Sequence, residues 1–250
     1  MHAHRFLALL LLLGLISCAG QTYQAQAGPS FLRTRGNISL ADSAGNLPAT
    51  NNMEDDLGVG GTEVAPYIQG RSDFEQHRFR ANAFVSDSDG QGTLANNYGN
   101  IGAGTPVSTT VDVFGIATNY SYALLEDEGY RVGVGGQLGF YSLDVSARSA
   151  TGRESVTTEA LVPAPFFEGE LYFDGLTLGA SCAVLAADLG DGDGRYLDFE
   201  AYSQFRLNED VDLRAGYRHI VLDVDGVATT REFDADVDVQ GFFVTAGIRF

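Results

Sequence analysis

The carboxyl-terminal segment, residues 237–250, shows the pattern that recurs along the whole chain. Apolar residues alternate there with small or polar ones at a period of two. The apolar register is Phe242, Val244, Ala246, Ile248 and Phe250. A period of two places alternate side chains on opposite faces, so the segment is predicted to be a β-strand that ends the chain.

The same alternation predicts further strands upstream. They cover residues 31–41, 62–71, 76–87, 110–125, 130–146, 166–173, 176–186, 197–207 and 211–223. Most of them reach the roughly 9–11 residues that a tilted strand needs to cross a bilayer. No run after residue 16 approaches the ~20 apolar residues that a membrane-spanning helix needs.

The connections between these strands alternate between long and short. The long ones are residues 42–61, 88–108, 148–159, 188–194 and 225–236, and the short ones are 72–75, 126–129, 174–175 and 208–210. Transmembrane barrels have short periplasmic turns and longer external loops, and closure of the sheet satisfies every backbone group in lipid. The pattern therefore predicts an all-β fold, an antiparallel up-and-down transmembrane β-barrel of about ten strands, with eight as the alternative. A soluble sandwich or lipocalin-type barrel would not need this asymmetry of loops.

Charged residues share one register of the predicted strands, and this register is expected to face the lumen. An arginine on the lipid face near the midplane would cost ~2–4 kcal/mol. We therefore predict paired charges that fill a narrow lumen, with Leu, Val, Phe and Tyr facing lipid. The predicted lumen network is Arg131, Glu168, Glu170, Asp198, Glu200, Arg206, Arg214, Arg218 and Arg249. The outward tyrosines predicted to form an aromatic girdle are Tyr120, Tyr122, Tyr130 and Tyr217.

Composition limits the partners. The chain has 250 residues, of which 15 are cationic, all of them arginine, and 33 are acidic, giving a net charge of −18. Such a charge argues against nucleic acid. The expected partners are outer-membrane lipids and lipopolysaccharide, with divalent cations between the acidic loops and the anionic lipid. A general tendency of the lineage toward acidic proteins explains the charge better than a specific binding site does.

The amino terminus is predicted to be a targeting segment, residues 1–19, followed by a short periplasmic lead, residues 20–30, and the barrel, residues 31–250. An apolar run after a weakly basic start is typical of a secretory signal. Cys18 ends a lipobox-like pattern and is a candidate for lipidation, whereas ordinary cleavage after Ala19 or near residues 25–27 fits equally well. Cys182, in an apolar register, is expected to be an inert thiol facing lipid.

Candidate chemistry is sparse. His77 lies beside a predicted periplasmic turn, and His219 lies near Asp223 and Asp225, so a His–carboxylate pair is the minimum that could activate water or a nucleophile. Asp188, Asp191 and Asp193 alternate with glycines and could wrap Ca²⁺, but a solvated acidic turn explains them better. We assign no catalytic, cofactor or metal residue from the sequence, and no cofactor is expected.

The run 133–140, Gly-Val-Gly-Gly-Gln-Leu-Gly-Phe, the segments 141–145 and 214–225, and the terminal Phe250 resemble small bacterial outer-membrane barrels of the OmpA-like transmembrane superfamily. The resemblance covers roughly residues 31–250. It implies an outer-membrane location, Phe250 as a membrane-insertion signal and the barrel-assembly machinery as a partner. The expected function is non-enzymatic: a structural, surface-interaction or narrow-pore role. The alternative is a lipid- or peptide-modifying enzyme that uses His219.

Overall fold

The computed structural model describes residues 21–188, 193–228 and 230–250. Within these residues the chain forms strands and connections, and no helix is long and apolar enough to span a membrane. The strands are β1 (Gln21–Leu40), β2 (Asn51–Asn52), β3 (Thr62–Phe74), β4 (His77–Thr93), β5 (Pro106–Asp127), β6 (Tyr130–Arg148), β7 (Arg153–Phe173), β8 (Leu176–Asp188), β9 (Asp193–Arg206), β10 (Val211–Ala228) and β11 (Arg231–Arg249).

The strands form one closed antiparallel barrel. From β3 onward each strand pairs with the next along the chain, and β1 pairs with both β3 and β11. The β1–β11 ladder runs from Gln24↔Arg249 to Leu40↔Phe233 and leaves no open edge at the chain ends. The two-residue β2 pairs with the outer end of β1. Ten long strands thus close the barrel in the described part of the chain, and the predicted fold class is confirmed.

Most of the strands carry two amphipathic patterns of opposite sense. On β11, Thr245 and Arg249 point inward. The side chains that point outward are apolar: Phe242, Val244, Ala246 and Ile248. Higher on the same strand the outward residues are acidic and the buried ones apolar. The buried inward residues there are Phe233, Ala235, Val237 and Val239, and the outward ones are Asp234, Asp236 and Asp238.

This inversion divides the barrel into two levels. The half next to the short turns, the membrane half, has an apolar outside and a polar inside, as hydrocarbon requires. The other half, the outer half, has a polar outside around an apolar core, as water requires. The prediction that apolar residues face lipid along the whole barrel is therefore wrong for the outer half. Arg33 and Arg35, for example, face outward on β1, whereas Leu32, Ile38 and Leu40 are buried.

The inversion also explains strands that the sequence analysis described as loops. Residues 153–159, 225–228 and 231–236 look polar because every second side chain faces water, yet they belong to β7, β10 and β11. Buried Val156 and Phe233 mark their inward register. The expected periplasmic lead, residues 20–30, is also corrected for its described part, residues 21–30. These residues belong to β1, which begins at Gln21. Pairing of this segment with Phe74 to Pro66 of β3 and with Arg249 to Ala246 of β11 makes it a strand.

Prolines end two of the ladders. The β3–β4 ladder stops at Tyr67↔Phe84, next to Pro66, and the β7–β8 ladder stops at Phe166↔Ala183, next to Pro165. A proline keeps its place in a ladder only where its missing N–H points away from that partner strand. The wall of the outer half is therefore unpaired at these two places.

Candidate functional site

The membrane half of the lumen is filled by an arginine–carboxylate network. Glu168 and Glu170 project inward from β7, and Arg78 and Arg80 project toward them from β4. Arg80 Nη2 lies 2.6 Å from Glu168 Oε2, and Arg78 Nη1 lies 2.9 Å from Glu170 Oε2. Arg71 of β3 adds a third cation, with Nη1 3.1 Å from Glu170 Oε1. All but Arg71 are nearly inaccessible to solvent, so their charges are stable only in combination.

The first cluster is completed from the neighbouring strands. Arg131 of β6 contacts Glu168 at 3.3 Å, and Asp73 binds both Arg71 and Arg78 at 2.6 Å. Hydroxyl groups add further hydrogen bonds to these carboxylates, as Ser121 donates to Glu168 at 2.6 Å. A glycine of β6 lies beside this cluster, where there is little room for a side chain. A Cβ on Gly133 would lie 3.1 Å from the side chain of Glu168.

A second cluster lies on the opposite wall, on β9 and β10. Arg218 binds Asp198 through two hydrogen bonds of 3.0 and 2.7 Å, the bidentate geometry that a guanidinium favours. Arg214 donates to Glu200 and stacks over the ring of Tyr202, with the guanidinium carbon 3.5 Å from the ring centroid.

Further donors in the lumen pair with the carboxylates, whereas Arg80 Nε and Arg214 Nε have no hydrogen-bond partner among the described residues. Tyr67 donates to Glu200 at 2.9 Å. Nearer the periplasmic mouth, Arg249 and Gln24 both donate to Asp212, at 2.9 and 2.6 Å.

The network is electrically balanced. Its cations are Arg71, Arg78, Arg80, Arg131, Arg214, Arg218 and Arg249, and its anions are Asp73, Glu126, Glu168, Glu170, Asp198, Glu200 and Asp212. Seven charges of each sign cancel. The net charge of −18 for the whole chain is therefore carried outside the network.

The sequence-predicted lumen residues come together, with one exception. Arg131, Glu168, Glu170, Asp198, Glu200, Arg214, Arg218 and Arg249 all take part in lumen ion pairs. Arg206 belongs to the inward register of β9, but it lies exposed at the periplasmic mouth and has no carboxylate partner among the described residues. Its prediction as a network member is corrected, because β9 ends at Arg206 and the side chain reaches water.

The sequence analysis missed the cations of β3 and β4. Arg71, Arg78 and Arg80 supply most of the charge facing Glu168 and Glu170. A signal was present, because Arg78 and Arg80 flank the outward Phe79 with the same alternation that indicated the other network residues. The strand itself was predicted over residues 76–87, but its charged residues were not assigned to the lumen register.

Little free space remains between the two charged clusters, whereas a cavity of about 440 Å³ lies at the periplasmic mouth, lined by Arg71, Asp212 and Arg249 among others. A cavity of about 10 Å³ lies between the two clusters, lined by Gln69, Asn119, Gln137 and Arg218 among others. That is about the space of one water molecule. The side chains of the two clusters thus occupy nearly all of the lumen at this level.

Two loop segments close the outer half. Met53, Leu57 and Val59 of the β2–β3 connection are buried, as are Leu94, Tyr98 and Ile101 of the β4–β5 connection. They pack on the apolar core of the outer half. Gly58 brings the first segment against β4 where the β3–β4 ladder is interrupted. It has φ +71°, and a Cβ there would lie 2.1 Å from the carbonyl oxygen of Gln91.

The candidate catalytic histidine faces outward. His219 Nε2 lies 3.0 Å from Asp238 Oδ1 of β11, and both side chains are half-exposed. The partner is thus Asp238 rather than the expected Asp223 or Asp225, because His219 lies opposite Gln240 in the β10–β11 ladder and Asp238 is its diagonal neighbour. His77 lies at the membrane half, with Nδ1 2.8 Å from the hydroxyl of Tyr120.

The other predicted surface residues have the following places. Tyr120, Tyr122 and Tyr130 are exposed outward near the short turns, and Tyr217 is half-buried on β10. Cys182 is a free, half-buried thiol in the outward register of β8. Phe250 is exposed, and its ring stacks on Tyr23 at 5.8 Å, where the backbone N–H of Tyr23 donates to Phe250. Its role as an insertion signal stays a prediction.

Carboxylates crowd the outside of the outer half. Asp223 lies directly opposite Asp236, and Asp225 lies opposite Asp234. Partial burial raises the pKa of Asp236, and repulsion from Asp223 raises it further. The pKa of Asp112 on β5 is raised by burial and by Asp87 and Asp144 in the same way. Like charges placed opposite each other weaken a sheet, so this arrangement is costly for folding alone.

Several predictions fall on residues outside the described ranges. These are the signal segment, Cys18, and the acidic residues of the β8–β9 turn, where Asp191 and the side chains of Asp188 and Asp193 are not described. Among the residues that are described, no group of three or more His, Cys, Asp or Glu side chains is arranged to hold a metal ion. Divalent cations at the acidic loops stay a prediction.

Closed antiparallel topology, an outward apolar belt and a charged, filled lumen define the chain as a transmembrane β-barrel of the outer-membrane kind. The solved structures that it resembles belong to the same class. It is similar to the outer membrane protease OmpT of Escherichia coli, with a TM-score of 0.63 and 12% identity, over 95% of this chain and 99% of that one.

Two further solved structures have lower TM-scores. They are Ail, the attachment invasion locus protein of Yersinia pestis (TM-score 0.40, 11% identity, 92% and 99% coverage), and Neisserial surface protein A (0.37, 12%, 94% and 100%). No protein-family model and no curated protein matches the chain. At 12% identity the similarity to OmpT shows the fold, which agrees with the predicted outer-membrane location, and it does not transfer an activity.

Proposed function

We propose that the protein is a closed, non-enzymatic outer-membrane barrel with a surface-interaction role, which presents its acidic outer half to cationic partners. The observation that carries the proposal is the separation of charge. The lumen network is neutral, so the net charge of −18 is carried elsewhere in the chain. The carboxylates of β10 and β11 form a dense part of it on the outside of the barrel.

A pore role has less support. The two charged clusters leave about 10 Å³ between them, and buried loop residues fill the outer half. We therefore expect the purified barrel to remain silent in planar bilayers at both polarities, with a known porin as the positive control. Stepwise conductance from the wild-type chain would contradict closure of the lumen.

Binding to polylysine tests the interaction role. We expect the barrel in nanodiscs to bind immobilised polylysine but not polyglutamate, with an affinity that falls as salt is added. The triple variant Asp234→Asn, Asp236→Asn, Asp238→Asn should bind several-fold more weakly. A matched control removes three charges from the periplasmic turns, with Asp174→Asn, Glu209→Gln and Asp210→Asn. Equal losses in the two variants would show that the outer face has no special part in binding.

The His219–Asp238 contact keeps an enzymatic role as a second candidate. A 3.0 Å His–carboxylate contact at the lipid–water boundary could activate water on a lipid or peptide. If so, His219→Ala and Asp238→Asn should each abolish lipid A modification or surface proteolysis in cells that express the protein. Absence of both activities in the wild type would remove this candidate. The finer assignment to the OmpA-like superfamily also stays a proposal, supported by the terminal Phe250 and the barrel topology.

A further inference from the structure

The edge of β7 is unpaired in the outer half of the barrel. β7 runs from Arg153 to Phe173, but it pairs with β8 only from Phe166 to Phe173. β8 ends at Asp188, and the β9–β10 ladder ends at Arg195↔Asp223, although β10 continues to Ala228. Among the described residues, the upper parts of β7 and β10 therefore each have a partner strand on one side only. We name this gap the β7 seam.

The two prolines determine which backbone groups face the seam. Pro163 and Pro165 hold their places in a continuous ladder with β6, opposite Leu138 and Gly136. Their missing N–H groups must therefore point toward the seam. Residues of the same parity above them, Ser155 and Thr157 among them, direct their N–H and C=O groups the same way because successive strand residues alternate. Among the described residues these groups have no backbone hydrogen-bond partner, so they can bind another strand.

The free part of the edge stands above the hydrocarbon. The outward side chains of Leu161, Pro163 and Pro165 belong to the apolar belt, where proline offers no donor. Above them the outward side chains are Ser155, Thr157 and Glu159, which are exposed and polar. The available backbone donors thus lie in water, at the cell surface, and stop where the membrane begins.

Apolar side chains lie behind the seam. Val162, Leu185, Val224 and Ala228 pack on the core of the outer half but are only partly buried, and they come from the three strands that border the seam. Next to them is an apolar cavity of about 30 Å³, lined by Thr158, Ala160, Leu222 and others. A cavity of this size gives room for one small apolar side chain of a bound molecule. It is too small for an acyl chain.

We propose that the β7 seam binds an extended peptide segment by β-strand addition. The peptide's backbone would pair with the free edge of β7, and alternate apolar side chains would enter the seam, the usual division of labour in this mode of recognition. A second copy of the chain does not fit. In the same membrane, the second copy would present its β7 in the same direction along the membrane normal. Because the strands tilt by roughly 35–45° from the barrel axis, the two β7 edges would cross instead of running side by side.

Charge favours a cationic segment. The outward side chains that border the seam include the exposed Glu159 of β7 and Asp225 of β10. Side chains of the bound peptide that do not enter the seam would point outward beside them. The inference rests on the proposed function, of which it names the binding place and the partner class: an extended peptide with apolar and basic residues in alternation.

A tryptophan-tagged peptide tests the proposal, because the chain itself contains no tryptophan. The probe is Trp-Lys-Val-Lys-Val-Lys-Val-Lys, titrated with the full-length barrel in nanodiscs and followed by tryptophan emission and anisotropy. The key variant is Thr157→Pro, which removes one seam-facing donor in the register that already tolerates Pro163 and Pro165. The matched control is Thr157→Val, which keeps the N–H. Heat-modifiable gel migration verifies that both variants are folded.

We expect Thr157→Pro to weaken peptide binding at least about fivefold and Thr157→Val to change it less than about twofold, since one hydrogen bond is worth up to about tenfold in affinity. A peptide N-methylated at alternate residues should bind as weakly as the variant. If Thr157→Pro binds the peptide as wild type does, attraction is only electrostatic, and the inference fails while the proposed function stands. If wild type binds polylysine but not the peptide, the inference fails likewise. Displacement of the peptide by a short-chain phospholipid would assign the seam to lipid instead and overturn the proposal.

Discussion

Removal of one buried carboxylate should destabilise the whole barrel. Glu170→Gln preserves the shape of the side chain but leaves Arg71, Arg78 and Arg80 with one anion fewer. The lost contacts measure 3.1, 2.9 and 3.3 Å, and Glu170 is almost fully buried. Breaking a buried ion pair by removing one partner costs about 3–5 kcal/mol, because the remaining charge stays desolvated. We expect the free energy of unfolding to fall by that amount.

Urea unfolding in lipid vesicles measures this loss, with the folded fraction read from heat-modifiable gel migration. The control is Glu209→Gln, which removes the same charge from an exposed turn and should change stability by less than about 0.5 kcal/mol. A paired variant, Glu170→Met with Arg80→Met, should recover part of the loss, because apolar replacements of buried ion pairs are often neutral. If Glu170→Gln unfolds at the same urea concentration as Glu209→Gln, the lumen carboxylates do not hold the barrel together.

Three further predictions concern the outer half and the lipid face. Gly58→Val should lower the unfolding free energy by about 1–3 kcal/mol, since φ is +71° and a Cβ would strike the Gln91 carbonyl; the same urea assay measures it. Asp236→Asn should raise stability at pH 7, because the raised pKa of Asp236 means that its ionisation destabilises the folded state as pH rises. The gain should vanish near pH 3, where both folded and unfolded states are protonated, and melting curves at the two pH values check this. Cys182 should react in intact vesicles with a membrane-soluble maleimide but not with a charged one; equal labelling by both would place the thiol in water.

The sequence predicted the barrel and its lumen well because the relevant signal is local. In the membrane half, alternation separates residues such as Phe242 and Arg249 onto opposite faces, and the cost of a charge in hydrocarbon leaves one orientation for each strand. The terminal segment alone was enough to show the period. Glu168 and Glu170 could be placed inside by the same argument, without knowing which cations they meet.

The outer half could not be predicted in the same way. There the same period of two carries the opposite meaning, because water replaces hydrocarbon outside the sheet. Asp234 and Asp236 were interpreted as part of a loop, since acidic residues at every second position resemble a polar connection. Which arginine faces which carboxylate also depends on the register between distant strands, as for Arg78 and Glu170, and this information is not local.

The reversal of face between the two halves fixes how deep the barrel sits. A shift of two residues toward the cell would bring Asp223 and Asp238 into hydrocarbon. A shift of the same size outward would expose Phe242 and Leu161 to water. A displacement in either direction therefore costs free energy on strands all around the barrel. The depth of the barrel in the membrane is therefore constant, and any partner that binds its outer rim is held at a constant distance from the lipid headgroups.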